Sequence, residues 1–485
     1  MNKPTNLKRN VVESILWMGT SSLVSQAVTW IVTIFVARIL MPADYGLVAL
    51  AGIYIGFTEY VNEFGIGTAI IQAERLDETD IRSMYSISLI IGAIMTAVTL
   101  FIAPFVAAYF NEEKLILIIR VLSITFLISS ARSVQRNLMI REMKFSLISR
   151  IEMVTRIVTS VVALACALYG MGAWTLVVQY LLQNLLGFVG SAWYERRLPG
   201  AIRITPEFKK MLSFGFGIMN SKILFYCNRS ADSFLVGTLL GKTLLGYYTF
   251  ALMLADKPFE KIVSLLHQVF FPMFAKMQND PERLKTYLLR IMEIELLILS
   301  PIFLLIALTS DNLVLVMLGN KWESAILPLQ VFSFIGFFKY FENVAGMVLT
   351  ATGRARAQVV YVSLLFPAMA AGIYFLAQRY HLNGVLIAWC AIFPLLSCMY
   401  FARIVKLIDI SFKEMASIFK LPFGAASVMV IMVLLVSGAV QTGNLNMLTI
   451  KIIMGIGTYL LVMVLLDKEK TFSMVRMLQI RKADI

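Results

Sequence analysis

The chain alternates between long apolar stretches and short polar segments. Each apolar stretch has about 20 or more residues and few charges, which is the length that an α-helix needs to cross a bilayer. The pattern predicts an all-α polytopic membrane protein with about fourteen transmembrane helices, and the first stretch is too long for a cleavable signal peptide. The predicted spans lie near residues 12–37, 46–66, 84–108, 115–137, 146–168, 172–193, 211–237, 245–270, 288–309, 324–349, 357–378, 383–404, 415–438 and 446–466.

A basic strip, Glu195–Lys210, divides these spans into six and eight. We therefore predict four segments along the chain. They are an N-terminal six-helix lobe (1–194), a basic cytoplasmic linker (195–210), a C-terminal six-helix lobe (211–410), and a trailing helix pair with a cytoplasmic tail (411–485). Two similar helical lobes joined by a linker are typical of transporters that work by alternating access.

The two lobes carry a short repeat. Leu40–Gly46 follows the first span, and Leu240–Gly246 follows the seventh, so that the Leu and the Gly recur at one common offset. A weaker correspondence places Arg132 of the fourth span against Lys339 of the tenth. Both members of each pair cross the membrane in the same direction. The repeat is therefore parallel, with an axis along the membrane normal.

Composition and charge support this interpretation. The chain is 59% hydrophobic and 15% charged, whereas soluble domains are about 45–50% apolar and about 25% charged. The net charge of +14 comes mainly from Lys and Arg in loops that fall on one side of the membrane. The positive-inside rule then predicts that both termini are cytoplasmic. A nucleic-acid partner is not predicted, because no basic domain or basic–aromatic module is present.

The cysteines and histidines indicate neither a disulfide framework nor a metal site, and no cofactor is predicted. The four cysteines lie inside apolar spans without CxxC spacing, as small buried hydrophobic residues do. His267 and His381 are far apart in the sequence and complete no nucleophile–His arrangement. The cysteines are Cys166, Cys227, Cys390 and Cys398.

Charged residues inside the spans are the candidate functional groups, since a charge at the bilayer centre costs roughly 2.5–3.5 kcal/mol and usually faces a water-filled pathway. The basic ones suit an anionic head group, because the arginine fork binds phosphate or carboxylate in a bidentate manner. These are Arg132, Arg136, Lys222, Arg229 and Lys339. The acidic candidates for binding a coupling proton or cation are Glu59, Glu63, Asp232 and Asp256. The alternative for all of them is a role as ion-paired helix contacts, and for Lys257, Lys261, Glu293 and Glu295 the two interpretations weigh equally.

Four segments, in order, resemble the polysaccharide transporter family of the multidrug/oligosaccharidyl-lipid/polysaccharide superfamily, in particular its colanic and teichuronic acid exporters. Together they extend over nearly the whole chain. They are Ala37–Gly46 with Glu63–Gln72, Asn228–Asp232 with Leu239–Gly241 and Leu245–Tyr248, Phe271–Gln278 with Asp280, and Leu318–Glu323 with Leu327–Gln330.

The resemblance implies two six-helix lobes and a helix pair around a central cavity in a bacterial cytoplasmic membrane. It also implies transfer of an undecaprenyl-diphosphate-linked repeat unit between leaflets, with a cationic cavity that engages the diphosphate or acidic sugars. In this chain Arg132, Arg136, Arg229 and Lys339 are the positions suited to that role. The expected partners are the lipid-linked oligosaccharide, membrane lipids and polysaccharide polymerase or export machinery.

Three other functions stay open. A drug–cation antiporter of the same superfamily would favour an acidic, aromatic cavity with few deep arginines. A membrane glycan polymerase or ligase commonly carries a large outer loop, whereas the longest one predicted here runs only from about Ser310 to Glu323. A lipid scramblase without ion coupling is the third alternative.

Overall fold

The described part of the chain folds into α-helices. The computed structural model describes residues 25–466 apart from 75, 278, 279, 355 and 441, and these residues form no strand, which confirms the all-α class. A short 3-10 helix, Asn320–Ala325, precedes α10. The α-helices are α1 Ser25–Ile39, α2 Pro42–Glu63, α3 Ile66–Gln72, α4 Glu78–Tyr109, α5 Lys114–Arg141, α6 Phe145–Leu168, α7 Trp174–Tyr194, α8 Pro206–Lys276, α9 Pro281–Met317, α10 Ile326–Ala351, α11 Arg356–Leu407, α12 Phe412–Ala439 and α13 Asn444–Leu466.

The chain is a multi-pass membrane protein. Ten helices among the described residues are long and apolar enough to cross a membrane. The pair formed by α1 and the α2–α3 segment is bent by 117° at its junction. If this pair counts as one further span, the number of candidate membrane spans is eleven. Large apolar side chains such as Phe101, Phe105 and Leu435 are exposed along these helices, as lipid-facing positions are.

Two of the long helices contain a break at the position where the sequence predicts a loop. In α8 the backbone of Gly241 leaves the helical region (φ 80°, ψ 177°), between the predicted spans 211–237 and 245–270. In α11 the break is at His381 (φ 50°, ψ −134°), between the predicted spans 357–378 and 383–404. Gly241 suits its position, because glycine adopts positive φ without a steric penalty. The first predicted span begins outside the described residues, which contain only its second half.

The described chain divides into two compact units, one ending at Gly246 and the other beginning at Tyr247. In the N-terminal unit α5 packs against α2, α3, α4 and α7. Buried Ile70, Met84 and Leu138 form a core there together with Phe208 from the start of α8. The first part of α8 therefore belongs to the same packed unit as α2 to α7.

In the C-terminal unit α9 packs against α10, α12 and α13. Leu297 of α9 shares a core with Ala425 and Met429 of α12. The Tyr459 hydroxyl of α13 donates to the Leu297 carbonyl oxygen at 2.9 Å. The trailing helix pair is thus an integral part of this unit, although it lies outside the sequence repeat.

The basic strip is bound to the N-terminal unit. The Ser86 hydroxyl donates to the Gly200 carbonyl oxygen at 2.6 Å, and the Thr205 hydroxyl donates to Asp80 at 2.7 Å. Arg197 pairs with Glu195 at 3.2 Å. Residues 206–210, which the sequence analysis placed in the linker, are instead the first turn of α8, because Pro206 provides a favourable helix start.

Carboxylates surround the cationic residues near the N-terminal end of the basic strip. Lys144, in the turn between α5 and α6, contacts Glu142 at 2.5 Å and Glu195 at 3.9 Å. The hydrogen bond to the Glu142 carboxylate raises the pKa of Lys144 above its usual value. Such ion pairs fix the strip at its N-terminal end, close to the starts of α4 and α6.

Candidate functional site

Three arginines and one carboxylate form a cationic cluster between α5 and α6. Arg136 Nη2 lies 3.0 Å from Glu152 Oε1, and its Nε donates to the same oxygen at 3.3 Å. The charged groups that act electrostatically on Arg132 are Glu152, Arg136 and Arg156. Arg132 and Arg136 thus share the Glu152 carboxylate while Arg156 adds a third positive charge, and the cluster keeps an excess of positive charge.

Arg132 is the member of the cluster that lies deepest against a neighbouring helix. Its guanidinium covers Gly187 of α7, where an added Cβ atom would approach Arg132 Cζ to 2.4 Å. Only a residue without a side chain permits that approach. The Nε–H group of Arg132 is buried and has no hydrogen-bond partner among the residues that the structure describes. A buried unsatisfied donor is costly, which marks this group as one that an anion would satisfy.

Glu63 and Lys222 form an ion pair. Lys222, on the first half of α8, donates to both oxygens of Glu63 on α2, each at 2.8 Å. Both side chains are about one-third exposed. The sequence analysis assigned Lys222 to an anionic head group and Glu63 to ion coupling, and the structure brings the two together as one ion pair.

We expect the Glu63–Lys222 ion pair to tolerate an exchange of its two charges. Glu63→Lys should lower the free energy of unfolding by about 1–3 kcal/mol, between the costs for an exposed and a fully buried pair. Combining Glu63→Lys with Lys222→Glu restores the attraction and should recover most of that loss in a thermal-unfolding assay. A double variant as unstable as the sum of both single changes would show that the pair is not a local contact.

Glu59 belongs to a hydrogen-bonded group between α2 and α7. Tyr180 donates its hydroxyl to Glu59 Oε1, and Asn184, one turn further along α7, donates to the Tyr180 carbonyl oxygen at 3.1 Å. Tyr180, Asn184 and Gly187 recur every three or four residues and therefore share one face of α7. That face receives both Glu59 from α2 and Arg132 from α5.

Asn62 fixes the position of α2 relative to α5. Its amide donates to the Phe126 carbonyl oxygen at 3.0 Å and to the Ser129 hydroxyl at 3.1 Å, while its oxygen accepts from Ser130 at 3.0 Å. Asn62 is 2% exposed, so these bonds form away from water. These hydrogen bonds fix the position of Glu59 and Glu63, which lie close to Asn62 on α2, relative to the arginines of α5.

In the C-terminal unit, Lys339 is paired with Asp256. Its ammonium group lies 2.6 Å and 2.9 Å from the two Asp256 oxygens and 5.4 Å from the ring centre of Trp389. One carboxylate balances one ammonium here. Of the remaining sequence candidates, Arg229 is exposed on α8, and Asp232 accepts from the Ser233 backbone N–H at 2.6 Å.

Sequence reasoning missed Glu152, Arg156 and Tyr180. Glu152 and Arg156 stand four residues apart within the predicted span 146–168, which is the same signal that singled out Arg132 and Arg136. Tyr180 gives no charge signal in the sequence. Within the described residues, no group of three or more His, Cys, Asp or Glu side chains is arranged to hold a metal ion.

Known proteins with similar sequences include a membrane protein of a cps region and a protein named for teichuronic acid biosynthesis. A Klebsiella pneumoniae protein described as an uncharacterized membrane protein in cps region is 24% identical over 465 residues, which cover 94% of this chain and 95% of that protein. The teichuronic acid biosynthesis protein TuaB of Bacillus subtilis is 27% identical over 302 residues, which cover 62% of each protein.

A solved structure with a similar fold is that of the lipid II flippase MurJ in an inward closed conformation. It superposes with a TM-score of 0.74 and covers 94% of this chain and 99% of the MurJ chain. The sequences are 12% identical, so the likeness concerns the fold. Residues 35–327, more than half of the chain, match the family model described as polysaccharide biosynthesis protein. The chain therefore belongs to the polysaccharide biosynthesis protein family, which confirms the resemblance found in its sequence.

Proposed function

We propose that this protein is a flippase that moves an undecaprenyl-diphosphate-linked polysaccharide repeat unit across the bacterial cytoplasmic membrane. The observation that carries the proposal is the cationic cluster of Arg132, Arg136 and Arg156 around the single carboxylate of Glu152. A diphosphate is a compact anion with several acceptor oxygens, and arginine binds such groups with paired, charge-assisted hydrogen bonds. Membership of a polysaccharide biosynthesis family and a fold like that of a lipid II flippase support the same substrate class.

The proposed membrane topology has fourteen crossings. This number follows when the two parts of α8, the two parts of α11, and α1 and α2 are each counted separately. An even number places both termini on one side, and the positive charge of the loops makes that side cytoplasmic. The proposed mechanism is alternating access by two six-helix lobes, driven by an ion gradient and without an enzymatic step.

The cluster argues against transport of drug cations. A cationic drug would meet an excess of arginine in the N-terminal unit, which repels it, whereas a diphosphate is attracted. Of the candidate coupling residues, Glu63 and Asp256 are each balanced by a lysine, whereas the arginine cluster keeps an excess of positive charge. An anionic ligand is therefore attracted to the cluster.

The decisive experiment is a flipping assay with purified protein in liposomes. A fluorescent undecaprenyl-diphosphate-linked oligosaccharide is placed in both leaflets, and a membrane-impermeant reductant bleaches the outer pool. With active protein the whole pool should bleach, whereas in liposomes without protein about half should stay protected. Protection that is unchanged by the protein, together with uptake of a drug cation, would overturn the proposal in favour of the antiporter.

The same assay tests the substrate class. Phosphatidylcholine with the same fluorophore should stay protected in the presence of the protein, since it lacks a diphosphate. Equal bleaching of both lipids would identify an unselective scramblase.

A further inference from the structure

Glu295 of α9 is a buried acid without a basic partner among the described residues. Glu295 is 1% exposed, and its Oε2 atom has no hydrogen-bond partner in the described part of the chain. Two other intramembrane acids of the candidate sites are ion-paired: Glu63 with Lys222 at 2.8 Å and Asp256 with Lys339 at 2.6 Å, while Glu59 accepts a hydrogen bond from Tyr180. Glu295 differs from Glu63 and Asp256, because no cation among the described residues pairs with it.

The surroundings of Glu295 contain hydroxyl groups and apolar side chains. From α10 comes Tyr340, whose hydroxyl also lies within hydrogen-bonding range of the Glu295 carboxyl. Tyr459 of α13 donates its hydroxyl hydrogen to the Leu297 carbonyl oxygen at 2.9 Å. The side chains of α12 that pack on this part of α9 are apolar, Leu421 and Ala425 among them. Glu293 precedes Glu295 on α9 itself, and Lys339 on α10 is engaged by Asp256.

The hydroxyl of Tyr340 indicates which way the hydrogen bond to Glu295 runs. Tyr340 donates its only hydroxyl hydrogen to the Met292 carbonyl oxygen at 3.1 Å. With that hydrogen directed at Met292, the Tyr340 hydroxyl has no second hydrogen to donate to an ionised Glu295 carboxylate. A carboxylate has no hydrogen to donate, whereas a protonated carboxyl group has one. A neutral carboxyl also avoids the cost of burying an unpaired charge.

We propose that Glu295 is a proton-binding site, which holds a proton in the conformation described here and releases it to water in another conformation of the transport cycle. The step is a simple proton exchange between the Glu295 carboxyl and water, with no other reactant. This inference rests on the proposed function for its role in transport, but the protonation of Glu295 can be tested independently of transport. From the sequence alone, Glu295 suits a functional and a structural role equally well, and the acids predicted to bind a coupling ion are Glu59, Glu63, Asp232 and Asp256.

The first experiment measures protonation directly. Infrared spectra of the full-length protein in lipid at neutral pH should contain the carbonyl band of a protonated carboxyl group, and Glu295→Gln should remove the contribution of one such group. Glu293→Gln, two residues away on the same helix, is the matched control and should leave that band unchanged. Glutamine has the size and neutrality of the protonated acid, so the variant is expected to fold normally. Identical bands in the wild type and Glu295→Gln would overturn the proposal, and Glu295→Asp provides a second comparison if Glu295→Gln is unstable.

The second experiment measures coupling in the flipping assay. A pH gradient of one unit changes the ratio of protonated to ionised carboxyl groups tenfold between the two sides, which is about 1.4 kcal/mol of driving force. We expect the gradient to change the wild-type and Glu293→Gln flipping rates by up to about tenfold, and to leave the Glu295→Gln rate unchanged. If the wild type flips no lipid-linked sugar, the proposed function fails while the infrared result stands. If Glu295→Gln keeps its response to the gradient, the coupling role of Glu295 is wrong while the flippase stands.

Discussion

Replacing Arg132 with alanine is expected to abolish export of the glycan while the protein still inserts into the membrane. The change removes one of the two guanidinium groups that share the Glu152 carboxylate, and it removes the one whose buried Nε–H has no partner among the described residues. A charge-assisted hydrogen bond to an anion contributes about 1.5–3 kcal/mol. Its loss corresponds to a decrease of about 10- to 100-fold in affinity for the diphosphate, measured as flipping rate against substrate concentration.

Three further variants separate the role of Arg132 from a general effect of charge on α5. Arg120→Ala removes an exposed arginine from the same helix and should leave flipping unchanged. Arg132→Lys keeps the charge but loses the planar fork, and should give an intermediate rate. Gly187→Ala alters no charge, but its Cβ atom would displace the guanidinium, so flipping should fall. A wild-type rate for both Arg132→Ala and Gly187→Ala would refute the cationic cluster as the substrate site.

The apolar pattern predicted the helices well because the bilayer imposes a nearly constant length on each span. The predicted span 146–168 corresponds to α6, Phe145–Leu168, and the predicted span 446–466 corresponds to α13, Asn444–Leu466. Disagreements occur where a helix continues beyond the membrane. The predicted span 288–309 is α9, Pro281–Met317, whose first turns contain Arg283 and Lys285. Hydropathy detects the apolar centre of such a helix, whereas hydrogen bonding and caps determine its ends.

The partners of the intramembrane charges could not be predicted to the same degree. Contacts within one helix follow from spacing, as for Arg132 and Arg136, which stand four residues apart on α5. Contacts between helices depend on how each helix is rotated about its axis, which the sequence does not specify. Glu63 and Lys222 are separated by 159 positions, and nothing in their local sequences connects them. Tyr180 was missed for the same reason, because its importance comes only from its contact with Glu59.

The glycine that ends the sequence repeat has a physical role that the repeat alone does not reveal. Gly46 and Gly246 occupy equivalent positions in Leu40–Gly46 and Leu240–Gly246, and in the N-terminal unit they meet each other. A Cβ atom added to Gly46 would lie 3.0 Å from the Gly246 backbone nitrogen, and one added to Gly246 would lie 3.1 Å from that of Gly46. The repeated glycines thus allow α2 and α8 to approach backbone to backbone, as small residues do between membrane helices.

Replacing Gly46 with alanine is therefore expected to disrupt this contact severely. The new methyl group would lie 1.6 Å from the Lys242 carbonyl oxygen, a backbone atom that cannot rotate away. The helices must separate, and we expect a loss of about 3 kcal/mol or more in the free energy of unfolding, at the upper end of the range for overpacking. The rate of glycan export should fall together with the free energy of unfolding. Thermal unfolding in detergent, together with the flipping assay, measures both effects.

Gly52→Ala is the matched control, because Gly52 lies on the same helix and, apart from that helix's own backbone, no described residue lies within 4 Å of its added Cβ atom. Alanine is the better helix former by about 1 kcal/mol, so this variant should be at least as stable as the wild type. The two substitutions introduce the same methyl group into one helix, and only the neighbouring backbone distinguishes them. Equal stability of the two variants would mean that α2 and α8 do not meet at Gly46. A stable Gly46→Ala protein that no longer flips its substrate would instead show that the close approach is needed for the transport cycle more than for folding.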